Sequence, residues 1–118
     1  MDNNQLMISG GGYPSPRDFV WVYNFEKEET EDRPSMNTAR ALHGAVTTPK
    51  GVYVFGGNGD EQEPIASAER LKGEWEDIPE MPEATSAAVA VEAHGKIFIT
   101  GHCIYGILEY DPSSQGYR

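Results

Sequence analysis

Three short apolar runs stand out along the chain: Leu6-Met7-Ile8, Val52-Tyr53-Val54-Phe55 and Ile97-Phe98-Ile99. Each is followed, within one residue or directly, by glycine: Gly10-Gly11, Gly56-Gly57 and Gly101-His102. None alternates with polar residues, so a strand built from any of them is apolar on both faces and predicts a sheet covered on two sides. Second runs precede the latter two, at Leu42 to Thr47 and Ala87 to Val91, linked through Pro49-Lys50-Gly51 and His94-Gly95. Extended runs separated by such turn residues predict β-hairpins. Third strands are expected over Phe19 to Asn24, Ala66 to Leu71 and Ile107 to Asp111, with a fourth around Trp75. Helices have little room, because Gly or Pro recurs too often everywhere except Asp18 to Arg33 and Glu83 to His94. The first window opens with the strand-forming Phe19-Val20-Trp21-Val22-Tyr23. The second is alanine-rich and helix-compatible by propensity, a weak preference that a repeat overrides. The acidic run Glu26 to Asp32, with Lys27 as its one cation, reads as a solvated turn.

A repeat is present. Gly10, Gly56 and Gly101 are spaced by 46 and 45 residues, and Met36 and Met81 each stand 20 residues before the second and third of these glycines. Trp75 lies six residues before Met81 and Thr30 six before Met36, while Tyr117, seven after Tyr110, takes the matching place in the last unit. One unit is therefore four strands in about 45 residues, the length of a β-propeller blade. The units divide the chain into a partial blade at 1–35, a complete blade at 36–81 and a blade at 82–118 expected to be truncated at its last strand.

With these marks in place the chain resembles the Kelch-repeat β-propellers over nearly its whole length. The resemblance rests on Gly10-Gly11 and Gly56-Gly57 at a hydrophobic strand end, Tyr23-Asn24 and Tyr110-Asp111 in third strands, and Trp75 in a fourth. Arg40 and His43 also match the family pattern before the first strand. His102 replaces a glycine, Leu71 a tyrosine, and Thr30 and Tyr117 the tryptophan, while Thr85 stands opposite Arg40. The resemblance implies an all-β fold, an incomplete Kelch-type propeller of four-stranded antiparallel blades. It also implies that ligands meet the loops between second and third strands and the linkers between blades. On those segments Tyr13, Arg17, Arg40, Asp60, Glu61, Glu63 and Tyr105 combine aromatic anchors with both signs of charge, a composition suited to a peptide or protein partner.

Composition narrows the classes. With 118 residues the chain makes one small domain, and 19 acidic against 9 basic side chains give a net charge of −10. That balance disfavours nucleic-acid backbones and anionic membranes, which require clustered Lys and Arg. No apolar run approaches the roughly 18 residues of a membrane-spanning helix. A single cysteine, Cys103, and the absence of a secretory signal pattern point to a reducing compartment, the cytoplasm. No nucleophile motif, phosphate loop or zinc spacing is present. His43, His94 and His102 have no partner at ligand spacing beyond the adjacent His102-Cys103, whose side chains would diverge along a strand. Asn58 to Glu63 lacks the alternating oxygen ligands of a calcium loop, and Pro14-Ser15-Pro16 is too short for a polyproline ligand. No cofactor and no metal are expected.

The expected function is a non-catalytic protein-interaction or scaffold module. The alternatives are a fragment of a carbohydrate-active Kelch propeller enzyme, of oxidase or sialic-acid mutarotase type, or a purely structural subunit of a large complex. The context of Cys103, Tyr105 and Tyr110 does not match the copper site of galactose oxidase, which shares the propeller. About two and a half blades are fewer than the four or so that close a ring. Leu6, Ile8, Val20, Val22, Ile97 and Ile99 are expected to leave apolar outer faces, so that other blades, from the same or another chain, complete the fold.

Overall fold

The computed structural model describes residues 5–10, 18–59, 63–102, 104 and 106–118, leaving the side chains of residues 5, 6 and 8 aside. Among the described residues the fold is all-β, without a helix, in three antiparallel sheets whose strands follow one another in chain order. The first sheet holds β1 (Gln5–Ser9), β2 (Val20–Asn24) and β3 (Glu29–Arg33). The second holds β4 (Gly44–Thr48), β5 (Gly51–Phe55), β6 (Ala68–Lys72) and β7 (Glu74–Ile78). The third holds β8 (Val89–Ala93), β9 (Lys96–Thr100), β10 (Leu108–Asp111) and β11 (Gly116–Tyr117). The three sheets form blades of a propeller type and do not close a ring.

The register repeats with the sequence. Leu6 pairs with Tyr23, Val52 with Leu71 and Ile97 with Tyr110, so the same positions oppose each other in every sheet. β1 has no inner neighbour among the described strands, whereas β5 and β9 are flanked by β4 and β8, which lie against each other. The alanine-rich window becomes β8, because pairing with β9 outweighs the helix preference of its alanines.

Two cores separate the sheets, and β5 serves both. Val52 and Val54 face the first sheet, packing with Val20, Met36, Leu71, Trp75 and the half-buried Met7. Tyr53 and Phe55 face the other way, against Ile97, Ile99, Tyr110, Ile78 and Met81. Alternate side chains of one strand thus fill two interfaces, which is why β5 is apolar throughout. Val20, Val22, Ile97 and Ile99 are consequently buried between sheets and form no outer face, contrary to expectation. Among the described residues the exposed large apolar side chains are others: Trp21, Phe25, Leu42, Val89, Val91 and Ile107.

One further difference concerns an outer strand. The acidic run is a turn only through Glu28, and its second half is β3, paired with β2 on one side. An edge strand that turns its carboxylates to water is protected by them from pairing further. The last unit, expected to be truncated at its last strand, carries there the two-residue β11 (Gly116–Tyr117), with Tyr117 opposite Tyr110. Asn24 and Asp111, the polar ends of two third strands, earn their place by turn chemistry. Asn24 Oδ1 accepts from the amides of Glu26 and Lys27 at 2.9 and 3.1 Å, and Asp111 Oδ1 from Ser113 at 2.9 Å. Both turns end on a left-handed residue four positions on, Glu28 and Gln115.

Candidate functional site

The linkers between sheets and the connection between β5 and β6 come together at one end of the molecule. Ala41 and Asn58 exchange backbone hydrogen bonds of 3.1 and 2.7 Å. On its other flank the same connection meets the next linker, Gly57 donating to the Thr85 carbonyl at 2.7 Å and Thr85 to that of Ile65 at 3.1 Å. Ala88 then donates to Leu42 at 3.1 Å and His102 to Ser86 at 3.0 Å, continuing the seam to the third sheet. Close backbone approach requires the glycines here. A Cβ on Gly56, at φ +61°, would lie 2.7 Å from the Thr85 carbonyl, and one on Gly10, at φ +62°, 2.3 Å from that of Arg40.

Beneath this surface lies a buried ion pair. Arg40 and Glu69 are both fully buried, Nη2 to Oε2 at 2.9 Å. The Arg40 fork also donates to the carbonyls of Gly56 and Ser67 and to Ser67 Oγ, at 3.0, 2.9 and 3.0 Å. Glu69 accepts in addition from the amides of Asn37 and Thr38, at 2.6 and 3.1 Å. The planar guanidinium suits this set of acceptors. Burial lowers the pKa of Arg40, and the Glu69 carboxylate opposes that shift. In the next unit Thr85 is likewise buried where Arg40 stands, and the register puts Leu108 where Glu69 stands, so both members of the pair are replaced together.

Arg40 was expected to contact a partner from a loop; its side chain instead lies inside and fastens a linker to β5 and β6. Glu63 is exposed on the β5–β6 connection, where its carbonyl accepts from Gly59 at 3.0 Å. Tyr13, Arg17, Asp60, Glu61 and Tyr105 lie outside the described residues. Glu69 escaped the sequence reading, although a carboxylate in a strand beside buried Ala68 and Leu71 was a signal that a cation must meet it.

His43 joins the first two sheets, its Nε2 2.9 Å from Ser9 Oγ. Burial, with the nearby Arg40 charge, pushes its imidazole down to about 4. The base of a nucleophilic Ser–His pair is oriented by a third group; His43 Nδ1 is buried and has no hydrogen-bond partner among the described residues. Among the described residues no three His, Cys, Asp or Glu side chains cluster as metal ligands, and no helix is long and apolar enough to cross a membrane. At the opposite end, a cavity of about 450 Å³ opens between the first two sheets, walled by Met7, Val22, Val52 and Leu71 and rimmed by Arg33 and Lys72. No protein-family model matches the chain, and a search of curated proteins finds no match either.

Proposed function

We propose that this chain is a non-catalytic interaction or scaffold module of Kelch type, working in the cytoplasm and taking a protein or peptide partner on its loop end. One observation carries the reading. The β5–β6 connection is stitched to both flanking linkers, so segments far apart in sequence make one continuous surface. Backbone segments fastened to one another in this way lose little entropy on binding. The partner chemistry follows from charge: with a net charge of −10 and Asp60, Glu61 and Glu63 on one connection, a neutral or basic segment fits, and nucleic acids or anionic membranes do not. Ser9 and His43 tie sheets together rather than activate a nucleophile, which favours a binding role over a catalytic one. The purely structural reading has the outward apolar faces in its favour.

The test uses an array of basic and acidic peptides on the intact chain. Basic peptides should bind, and the triple variant Asp60→Asn, Glu61→Gln, Glu63→Gln should weaken that binding about tenfold or more while the unfolding transition stays in place. Equal binding by a folded triple variant, or a preference for acidic peptides, overturns the reading.

A further inference from the structure

The two interfaces between sheets use matching positions, yet one is filled and the other is not. The register makes Met7 and Val22 of the first sheet the counterparts of Tyr53 and Arg70 in the second, and Leu71 of the second the counterpart of Tyr110 in the third. Between the second and third sheets Tyr53 and Tyr110 meet with ring centroids 6.0 Å apart, and Tyr110 meets Tyr117 at 4.8 Å. Arg70 lies against Tyr53 there and pairs with Glu76. Between the first and second sheets the same places hold a methionine, a valine and a leucine, and the cavity of about 450 Å³ opens among them. Two phenol rings and a guanidinium side chain are missing from this interface, which accounts for the space. The walls belong to the facing surfaces of two sheets of this chain, so the cavity does not depend on what covers either outer face.

The rim gives the cavity a sign. Arg33 stands in register where the second sheet has the buried Ile78, and Lys72, the last residue of β6, stands at the mouth. The lining thus includes two cations and no carboxylate, in a chain with 19 acidic and 9 basic side chains. Arg33 Nη1 is 3.1 Å from Glu31 Oε2 and donates to the Asp32 carbonyl at 3.3 Å. Both bonds use Nη1, and the fork carries further donors on Nη2 and Nε. Arg33 and Lys72 against Glu31, two cations and one carboxylate, leave the mouth one net positive charge. Small-molecule sites are mostly apolar chambers of roughly 300–1,000 Å³ with a few polar groups that fix orientation. We propose that this cavity binds a small aromatic carboxylate, its ring among Met7, Val22, Val52 and Leu71 and its carboxylate at Arg33 and Lys72. The ring takes the kind of space that tyrosine rings fill in the other interface, and the carboxylate answers the charge of the mouth. The site lies at the end opposite the stitched loops, and so goes beyond the partner-binding reading and does not depend on it.

Calorimetric titration of the full chain with phenylacetate provides the measurement, with phenylacetamide as the uncharged analogue and acetate as the head group alone. Phenylacetate should bind saturably with a dissociation constant at or below about 1 mM, a modest affinity for a ligand of so few atoms. Phenylacetamide should bind about tenfold more weakly or worse, and acetate should show no saturation. Arg33→Gln should weaken phenylacetate about tenfold and bring it level with the amide. Leu71→Phe fills the cavity and should abolish binding with the unfolding transition kept, and Met7→Phe replaces it if it fails to fold. In the wild-type chain, nuclear Overhauser contacts should run from the ligand ring to the Met7 and Leu71 methyl groups, a readout that needs no variant. No saturable binding, equal binding of acid and amide, binding kept by folded Arg33→Gln or by a folded filled variant, or ring contacts away from these methyls overturns the proposal. The triple loop variant should bind phenylacetate as wild type does, which separates this cavity from the peptide-binding surface.

Discussion

Arg40 and Glu69 form a buried ion pair whose energetics depend on both members being present. Removing one charge from such a pair leaves the other desolvated and costs about 3–5 kcal/mol. We expect Arg40→Thr and Glu69→Leu each to destabilise by that order. The double variant copies the residues that the third sheet carries at these positions, and it should be less destabilised than either single change. Urea unfolding of the four proteins, arranged as a double-mutant cycle, measures the coupling. His43 makes a second residue-scale case. Its imidazole titrates near 4 in the folded chain, below the ordinary 6.5, so the unfolded chain takes up its proton first as pH falls. The stability due to neutral His43 is therefore complete above about pH 6.5, declines between 6.5 and 4, and levels off below. Unfolding free energies across that window should drop by on the order of 2–3 kcal/mol in wild type, beyond any change seen in His43→Gln.

At the scale of elements, the outermost strand of each later sheet fastens the linker that precedes its sheet. Trp75 on β7 donates its indole N–H to the Pro34 carbonyl at 2.7 Å, and Tyr117 on β11 donates its hydroxyl to Pro79 at 2.7 Å. Both prolines stand two residues before a buried methionine, Met36 and Met81, whose amides bond to Asp18 and Ala66 at 2.8 and 2.9 Å. A tyrosine thus does the tryptophan's work. Its hydroxyl titrates well above the ordinary range because burial penalises the phenolate, so it remains a donor at neutral and mildly alkaline pH. Trp75→Phe and Tyr117→Phe keep the ring and lose one hydrogen bond, and each should cost about 1 kcal/mol. Native-state hydrogen exchange should report the loss locally, at Met36 for the first variant and at Met81 for the second, while the centres of β5 and β9 keep their protection.

Over the whole molecule, apolar cores and charge act against each other. The chain carries a net charge of −10, so folding gathers like charges whose repulsion salt screens, while the apolar cores between sheets are insensitive to it. Stability should therefore rise with salt from about 20 to 200 mM, where the Debye length shortens from roughly 20 to 7 Å. Urea unfolding at the two salt levels should show the midpoint rising. A midpoint that falls with added salt would mean that surface ion pairs outweigh the repulsion.

Strand positions other than β3, the 45-residue period and the two-sided cover of β5 were legible in the sequence, because these depend on short apolar runs and on turn residues such as Pro49, Gly51 and Gly95. The matching of Tyr117 to Trp75 was legible too, through spacing alone, though the carbonyls they serve were not. What only the tertiary structure decided is where each polar or apolar side chain ends once sheets stack. Arg40 reads as a loop cation until Glu69, 29 residues away, is brought beneath it by the return of β6. Val20 and Trp21 are neighbours of similar hydrophobicity, yet one is 1% and the other 40% exposed, because the pleat sends them to opposite faces and only one face has a sheet beside it. Residue type expresses how strongly a side chain avoids water. Which face receives a neighbour is set by pairing between residues distant in the chain, and local pattern carries no record of that.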